Sequence, residues 1–312
     1  LNTGVFAWTP DYNQSDFYEV TFFADSNSLS DSETIIITVN NTNRVYGVTN
    51  PVFTGTLVGV QFGDNITATF SSAANTNSPI GTYAITLAGG SDNNYTFAFV
   101  SGTLTVTPTA LTITADNQGK IYGAALPTLT ASFSGFVNGD DRTVLTGTLI
   151  LSTAATQGSD VGPYPVTPSG LSSTNYTITF VPGTLTITPA ALTITADNQG
   201  KIYGAGLPTL TASYSGFVNS DTAASLDTPV TLSTTATAAS DVGPYPITAS
   251  GAADLNYTIT FVPGTLTVTP AALTISADNQ GKIYGAALPT LTASYSGFVN
   301  SDTAASLDTP VT

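Results

Sequence analysis

The residues with the widest chemical range in this sequence gather in one short phrase, A-D-N-Q-G-K, at positions 115–120, 196–201 and 277–282. Its carboxylate is Asp116, Asp197 or Asp278, and one use for it is a calcium ion at a domain entrance. Calcium takes clustered carboxylate and carbonyl oxygens. No D-x-D-x-D-G loop accompanies the phrase, however, and the stretch V-N-N-T-N at 39–43 lacks the acids a calcium-binding linker needs. The preferred reading is an Asx-type turn in which the aspartate accepts backbone N–H groups. No metal or other cofactor is therefore expected.

Lys120, Lys201 and Lys282 are the only lysines of the chain. A lysine held beside an asparagine and a carboxylic acid in an apolar pocket can condense into an amide with loss of ammonia. Asn175 and Asp160 are the candidates for the second repeat. Against such an isopeptide bond, Arg44 takes the lysine position in the first repeat, and Lys120 follows a polar turn. The expectation is a solvated side chain.

Acid–base catalysis by two carboxylates needs a pair retained in a cleft. The tightest pair is Asp140-Asp141, where the third repeat reads Ser220-Asp221, so no pair is kept. The absence of histidine excludes a Ser-His-Asp triad, and the absence of cysteine excludes thiolate catalysis, disulfides and Cys-ligated zinc. An enzyme is not expected.

Composition points the same way. Only 8% of the 312 residues are charged, with a net charge of −15 and five basic residues in all. Five scattered cations cannot neutralise a run of phosphates, so nucleic acid and anionic membranes are poor partners. A chain without Cys or Met resists oxidation, which suits a secreted or cell-surface location. No apolar run approaches the roughly 18 residues of a spanning helix. There is no signal peptide at Leu1, and Thr312 falls inside a repeat, as expected of a slice of a longer protein.

These residues are positioned by a repeat. The sequence from Leu192 to Thr231 returns from Leu273 to Thr312 with two differences, Ser276 for Thr195 and Ala287 for Gly206. An earlier copy begins at Leu111, so the starts lie 81 residues apart. A period of that length means whole small domains in tandem. In the second repeat strands are expected at 111–115, 121–122, 128–133, 148–152, 164–167, 176–181 and 184–188, from period-2 alternation broken by Gly and Pro. A helical turn is expected at 220–226, capped by Ser220 or Asp221. Seven short strands per repeat argue for an all-β fold of tandem Ig-like β-sandwich domains, about 80 residues each, in an elongated array.

Three further strands are expected at 5–9, 17–24 and 33–39. The last repeats the 11-residue offset to a Tyr-Gly step. Either that strand closes the leading segment and also opens the first repeat, or the first repeat lacks its opening strand. The linkers read as Pro189-Ala190-Ala191 and Pro270-Ala271-Ala272, too short for free bending, so neighbours should stack as a semi-rigid rod gaining roughly 35–45 Å per domain.

Tyr122, Tyr203 and Tyr284 each precede a glycine. They are expected to be packing residues whose hydroxyls bond to loop backbone, as are Tyr83, Tyr164 and Tyr245 in G-x-Y and Tyr95, Tyr176 and Tyr257 in N-Y-T. Sequons occur at Asn13, Asn40, Asn65, Asn94, Asn175 and Asn256. In a chain this rich in Thr they arise by chance.

The run A-L-T-I-T-A-D-N-Q-G-K-I-Y-G, then D-V-G-P-Y-P, then N-Y-T-I-T-F-V-P-G-T-L-T, resembles the MBG domain of the YGX type. The likeness is close over 109–312 and loose over 44–108. T-G-V-F-A-W-T-P and L-S-D-S-E-T-I-I-I-T-V-N resemble the C-terminal half of a cadherin-like, Ig-like domain with Trp8 in its core. These resemblances imply extracellular repeat modules of large bacterial surface proteins, without catalytic residues. The implied domains are 1–43, 44–108, 109–189, 190–270 and a truncated 271–312. The expected function is a stalk or fibre segment whose partners are neighbouring repeats or other copies. An adhesive module binding a surface glycan is the alternative.

Overall fold

The computed structural model describes residues 33–312. The strands expected at 5–9 and 17–24, the core role of Trp8 and the sequon at Asn13 lie outside the described residues. The chain forms two compact units divided between Thr107 and Pro108.

The first unit holds the first repeat. Its strands are β1 (Glu33–Val39), β2 (Thr42–Val45), β3 (Gly55–Val58), β4 (Thr69–Ser71), β5 (Gly81–Gly89), β6 (Tyr95–Val100) and β7 (Gly102–Thr107). They form two sheets, β3-β1-β6 and β2-β7-β5-β4. β1 is central: it pairs antiparallel with β3 (Ile36↔Val58) and parallel with β6 (Ile37↔Phe99). A strand hydrogen-bonded on both edges has no edge left for a further sheet. The strand expected to close the leading segment is thus the opening strand of the first repeat, which begins at least eleven residues before the boundary drawn at 43/44.

The second unit repeats the plan. The second repeat runs through β8 (Thr109–Ala115), β9 (Gln118–Ile121), β10 (Ala131–Ser134), β11 (Thr146–Ser152), β12 (Gly162–Ser172), β13 (Tyr176–Val181) and β14 (Gly183–Thr188). The third runs through β15 (Ala190–Ala196), β16 (Gln199–Ile202), β17 (Ala212–Ser215), β18 (Thr231–Thr234), β19 (Gly243–Ser250), β20 (Tyr257–Val262) and β21 (Gly264–Thr269). Each again makes a three-stranded sheet (β10-β8-β13, β17-β15-β20) and a four-stranded one (β11-β12-β14-β9, β16-β21-β19-β18). Of the fourth repeat, β22 (Thr274–Ala277) and β23 (Ala293–Ser296) pair as a hairpin.

Alternation decides which face packs. In β8 and β14 the aliphatics Leu111, Ile113, Leu185 and Ile187 are at most 1% exposed, while the interleaved Thr residues face water or the sheet margin. Val166 of β12 is equally buried, in one apolar cluster with Leu185 and Ile187. Each such side chain stabilises the fold by about 1.5–3 kcal/mol through apolar burial. At the start of β14 only glycine fits: a Cβ on Gly183 would sit 2.2 Å from the carbonyl oxygen of Ala115.

Two expectations shift. Ala190 and Ala191 are not linker residues, because β15 pairs them with Tyr257 and Thr258 of β20. Pro189 alone separates β14 from β15. The helical turn is a 3-10 turn at Ala223–Ser225, capped by Thr222 in a capping box with Ser225 rather than by Ser220 or Asp221. Ser220 is in the left-handed region at φ 69°, and the Asp221 carboxylate has another task.

Candidate functional site

That task lies at the end of the third repeat facing the second. The buried ring of Tyr257, at the start of β20, aims its hydroxyl at the loop after β17. There Tyr257 Oη donates to Asp221 Oδ2 at 2.6 Å and accepts from the backbone N–H of Val218 at 3.0 Å. The same triangle recurs in every complete repeat. Tyr176 donates to Asp140 (2.7 Å) and accepts from Val137 N (3.1 Å), while Tyr95 donates to Asp64 (2.7 Å) and accepts from Gln61 N (3.1 Å). The residue after the donor amide takes a left-handed conformation each time: Asn219 at φ 53°, Asn138 at 57°, and Phe62 at 55°, fully exposed. Asparagine tolerates that region, whereas a phenylalanine there is an outlier.

These carboxylates correct the alignment of the acidic pair. The 81-residue offset carries Asp140 to Asp221 and Asp302, and Asp141 to Thr222. One acid of the pair is therefore retained throughout, and it is a tyrosine acceptor. The other caps a 3-10 turn, Asp141 Oδ1 accepting from Thr143 N at 2.8 Å. Sequence reasoning set Ser220-Asp221 one residue out of register and so missed it.

Onto this socket the second repeat lowers its Tyr-Gly step. Tyr122 follows β9, and its backbone N–H bonds to Thr188 O at 2.8 Å. Its ring, 7% exposed, meets Tyr257 edge to face with centroids 5.5 Å apart. Tyr122 Oη donates to the same Asp221 Oδ2 at 3.1 Å. The expected partner was loop backbone; the observed one is a carboxylate of the next repeat. Gly123 completes the fit at φ 79°, since a Cβ there would lie 2.4 Å from Val218 Cγ2. A Cβ on Gly204 would likewise lie 2.5 Å from Val299 Cβ, so the close glycine approach recurs between the third and fourth repeats. Tyr203 is half-buried beside that contact, and Tyr284 is exposed.

A second contact flanks the tyrosines. Asn256 Oδ1 accepts from Val161 N at 2.8 Å, and its Nδ2 donates to Asp160 Oδ1 at 2.9 Å. Asp160 is thus engaged with the next repeat. Asn175, at the head of β13, offers its carbonyl to Thr109 N at 3.0 Å. One apolar cluster then runs without a break from Ala115, Tyr122 and Val166 to Leu192, Ile247 and Tyr257. Burial together with the Asp221 hydrogen bond pushes the Tyr257 hydroxyl up to about 12. For Tyr122 an Asn219 hydrogen bond pulls downward, but burial and Asp221 outweigh it and the value rises.

The expected sites fall elsewhere. Asp116 accepts from the Ser132 hydroxyl at 2.5 Å, Asp197 from Ser213 (2.5 Å) and Thr211 (2.7 Å), and Asp278 from Ser294 (2.5 Å). These cross-strand hydroxyls, with Thr130 and Thr292 at the outer two, hold all three carboxyls below the usual range. They pin the hairpin rather than forming Asx turns, and no group of three acids fit for a metal occurs among the described residues. The neighbouring Asn117 and Asn198 accept from Thr184 N and Thr265 N, both at 2.8 Å. Lys120 and Lys201 are not solvated: both are buried and donate to loop carbonyls. Lys282 is exposed and donates to Ala286 O at 3.3 Å. Tyr83, Tyr164 and Tyr245 bond as expected, to the carbonyls of Pro79, Asp160 and Asp241 at 2.9–3.0 Å.

Tandem β-sandwiches, the second and third joined through a tyrosine–carboxylate contact, define a modular repeat protein. Residues 35–105, 111–186, 192–267 and 273–312 match the model of the MBG domain (YGX type), and the chain belongs to that family. No curated protein matches it. Similar solved structures include Drosophila N-cadherin EC1-4, at 11% identity and TM-score 0.26 over 77% of this chain and 76% of that one. The I9-I11 tandem of titin is 13% identical with a TM-score of 0.21, over 77% of this chain and 98% of that one. Domains 4-9 of the surface layer protein SbsC are 14% identical with a TM-score of 0.20, over 84% and 54% respectively. Likeness at this level says nothing of function. No helix among the described residues is long and apolar enough to cross a membrane.

Proposed function

We propose that this chain is a structural segment, a stalk or fibre, of a large bacterial extracellular or cell-surface protein. Its repeats set distance as a semi-rigid spacer. The observation that supports this reading most is the unbroken apolar core crossing Pro189 between the second and third repeats. A flexible string of domains needs polar linkers and separate cores; here the linker is one proline and the core is shared. The absence of Cys and Met, and the cover of Thr and Asn in place of charge, suit exposure outside a cell. The chemistry of the chain is spent on hydrogen bonds that join elements, so its role is mechanical rather than catalytic. Small-angle scattering on chains with added repeats tests this. A constant increment of maximum dimension per repeat is expected, and growth with the square root of repeat number overturns it.

A further inference from the structure

Three of the five cations of the chain, Arg44, Lys120 and Lys201, are only 6–8% exposed. Lysine and arginine are rarely buried without a carboxylate partner, yet these spend their donors mainly on backbone carbonyls. Lys120 Nζ donates to Ala124 O (3.1 Å) and Gln157 O (3.0 Å). Lys201 Nζ donates to Ala205 O and Ala238 O, both at 3.0 Å. Arg44 donates to Val45 O, Asn75 O and Asn50 Oδ1. Burial alone holds the Lys120 ammonium below its ordinary value.

The acceptors identify what is being held. Ala124 lies on the loop that carries Tyr122 and Gly123. Gln157 lies on the loop that carries Asp160 and Val161. Those four residues meet the third repeat. A further bond, from Gln157 Nε2 to Gly123 O at 2.9 Å, joins the same two loops. We propose that Lys120, and Lys201 by the same geometry, are positioning residues that set the stiffness of the repeat-to-repeat junction. The ammonium ties the two loops into one rigid face, so that the tyrosine and Asp160 reach Asp221 and Asn256 together. A neutral side chain leaves buried carbonyls without donors, and the loops part to find water. A guanidinium on the same strand position also ties two loops, as Arg44 does with Asn50 Oδ1 and Asn75 O inside the first repeat. The inference rests on the spacer reading.

Because the chain has no cysteine, Ser134→Cys and Ser215→Cys place spin labels on exposed positions of β10 and β17. Pulsed electron spin resonance then reads the distance distribution across the junction in the full chain. A narrow wild-type distribution is expected. Lys120→Met should broaden it about twofold, as for a hinge released from its packing. Lys120→Arg should restore the width, and Lys201→Met, acting on the next junction, should leave it unchanged. A narrow wild type with a narrow Lys120→Met overturns the lysine assignment alone, whereas a broad wild type overturns the spacer reading beneath it. Should Lys120→Met fail to fold, Lys120→Gln replaces it: its shorter amide cannot span both carbonyls, so partial broadening is expected, and an unchanged width overturns the assignment.

Discussion

Tyr122 and Tyr257 belong to different repeats and share one acceptor oxygen. Both hydroxyls donate to Asp221 Oδ2, at 3.1 and 2.6 Å, with their rings edge to face. A single carboxylate thus closes the socket within the third repeat and latches the second repeat onto it.

Removing one donor should separate the two roles. Tyr122→Phe keeps the ring contact and loses one hydrogen bond, at about 0.5–1.5 kcal/mol. Asp221→Ala strands two buried hydroxyls and should cost more, on the order of 2–4 kcal/mol. In a double-mutant cycle read by urea denaturation, a coupling of about 0.5–3 kcal/mol between them is expected. Additivity would mean that the latch contributes nothing.

Gly123→Ala should be among the costliest small changes in the chain. It faces both the left-handed backbone at φ 79° and a 2.4 Å clash with Val218. Overpacking of that kind costs about 1–3 kcal/mol beyond the backbone penalty. Gly139→Ala is the control, with φ 78° and nothing within 4 Å of its Cβ. Val218→Ala removes the 2.4 Å contact but keeps the Val218 Cβ at 2.6 Å, so it should recover only part of the difference between the two in melting temperature, while leaving Gly139→Ala as it was.

Alkali should loosen the junction through Tyr257. Its folded-state value, about 12, lies above the ordinary phenol value of 10.0, so the fold favours the protonated hydroxyl. That contribution is complete below pH 10 and is lost as pH rises from 10 through 12. Tyr257→Phe should flatten the fall in stability over this window, measured by urea midpoints at stepped pH.

Acid should act through Asp116 and Asp197. Hydroxyl hydrogen bonds depress both below the ordinary value of 3.8. Their stabilisation is therefore present above pH 3.8 and disappears as pH falls through the lower folded values. Asp197→Asn should weaken the acid dependence, and an unaltered slope between pH 5 and pH 2 would show that these hairpin pins do not bear on stability.

Trypsin should cut after Arg142 and Lys282 and spare Arg44, Lys120 and Lys201. The first two are exposed and the other three are buried, so their cleavage requires opening of the fold. Mass spectrometry of early digests should show ends at Arg142 and Lys282 only. Early ends at Lys120 would mean that the ammonium is not held in the loops.

Much of this protein was legible in the linear chain. The 81-residue period, the Thr–aliphatic alternation of 111–115 and 184–188 and the Gly-Pro punctuation fixed an all-β tandem array. These are local properties, because which face of a strand is buried follows from period-2 patterning alone. Even the tyrosine acceptors were present in the period, had Asp140 been set against Asp221. What only the tertiary structure decided is where polar groups of separate loops converge. Lys120 looks solvated beside a polar turn until the 153–161 loop folds over it. The Tyr-Gly step looks like an anchor inside one domain until the next domain brings Asp221 and Tyr257, 99 and 135 positions further along. Contacts of that range leave no local pattern, since neither partner constrains the residues around the other.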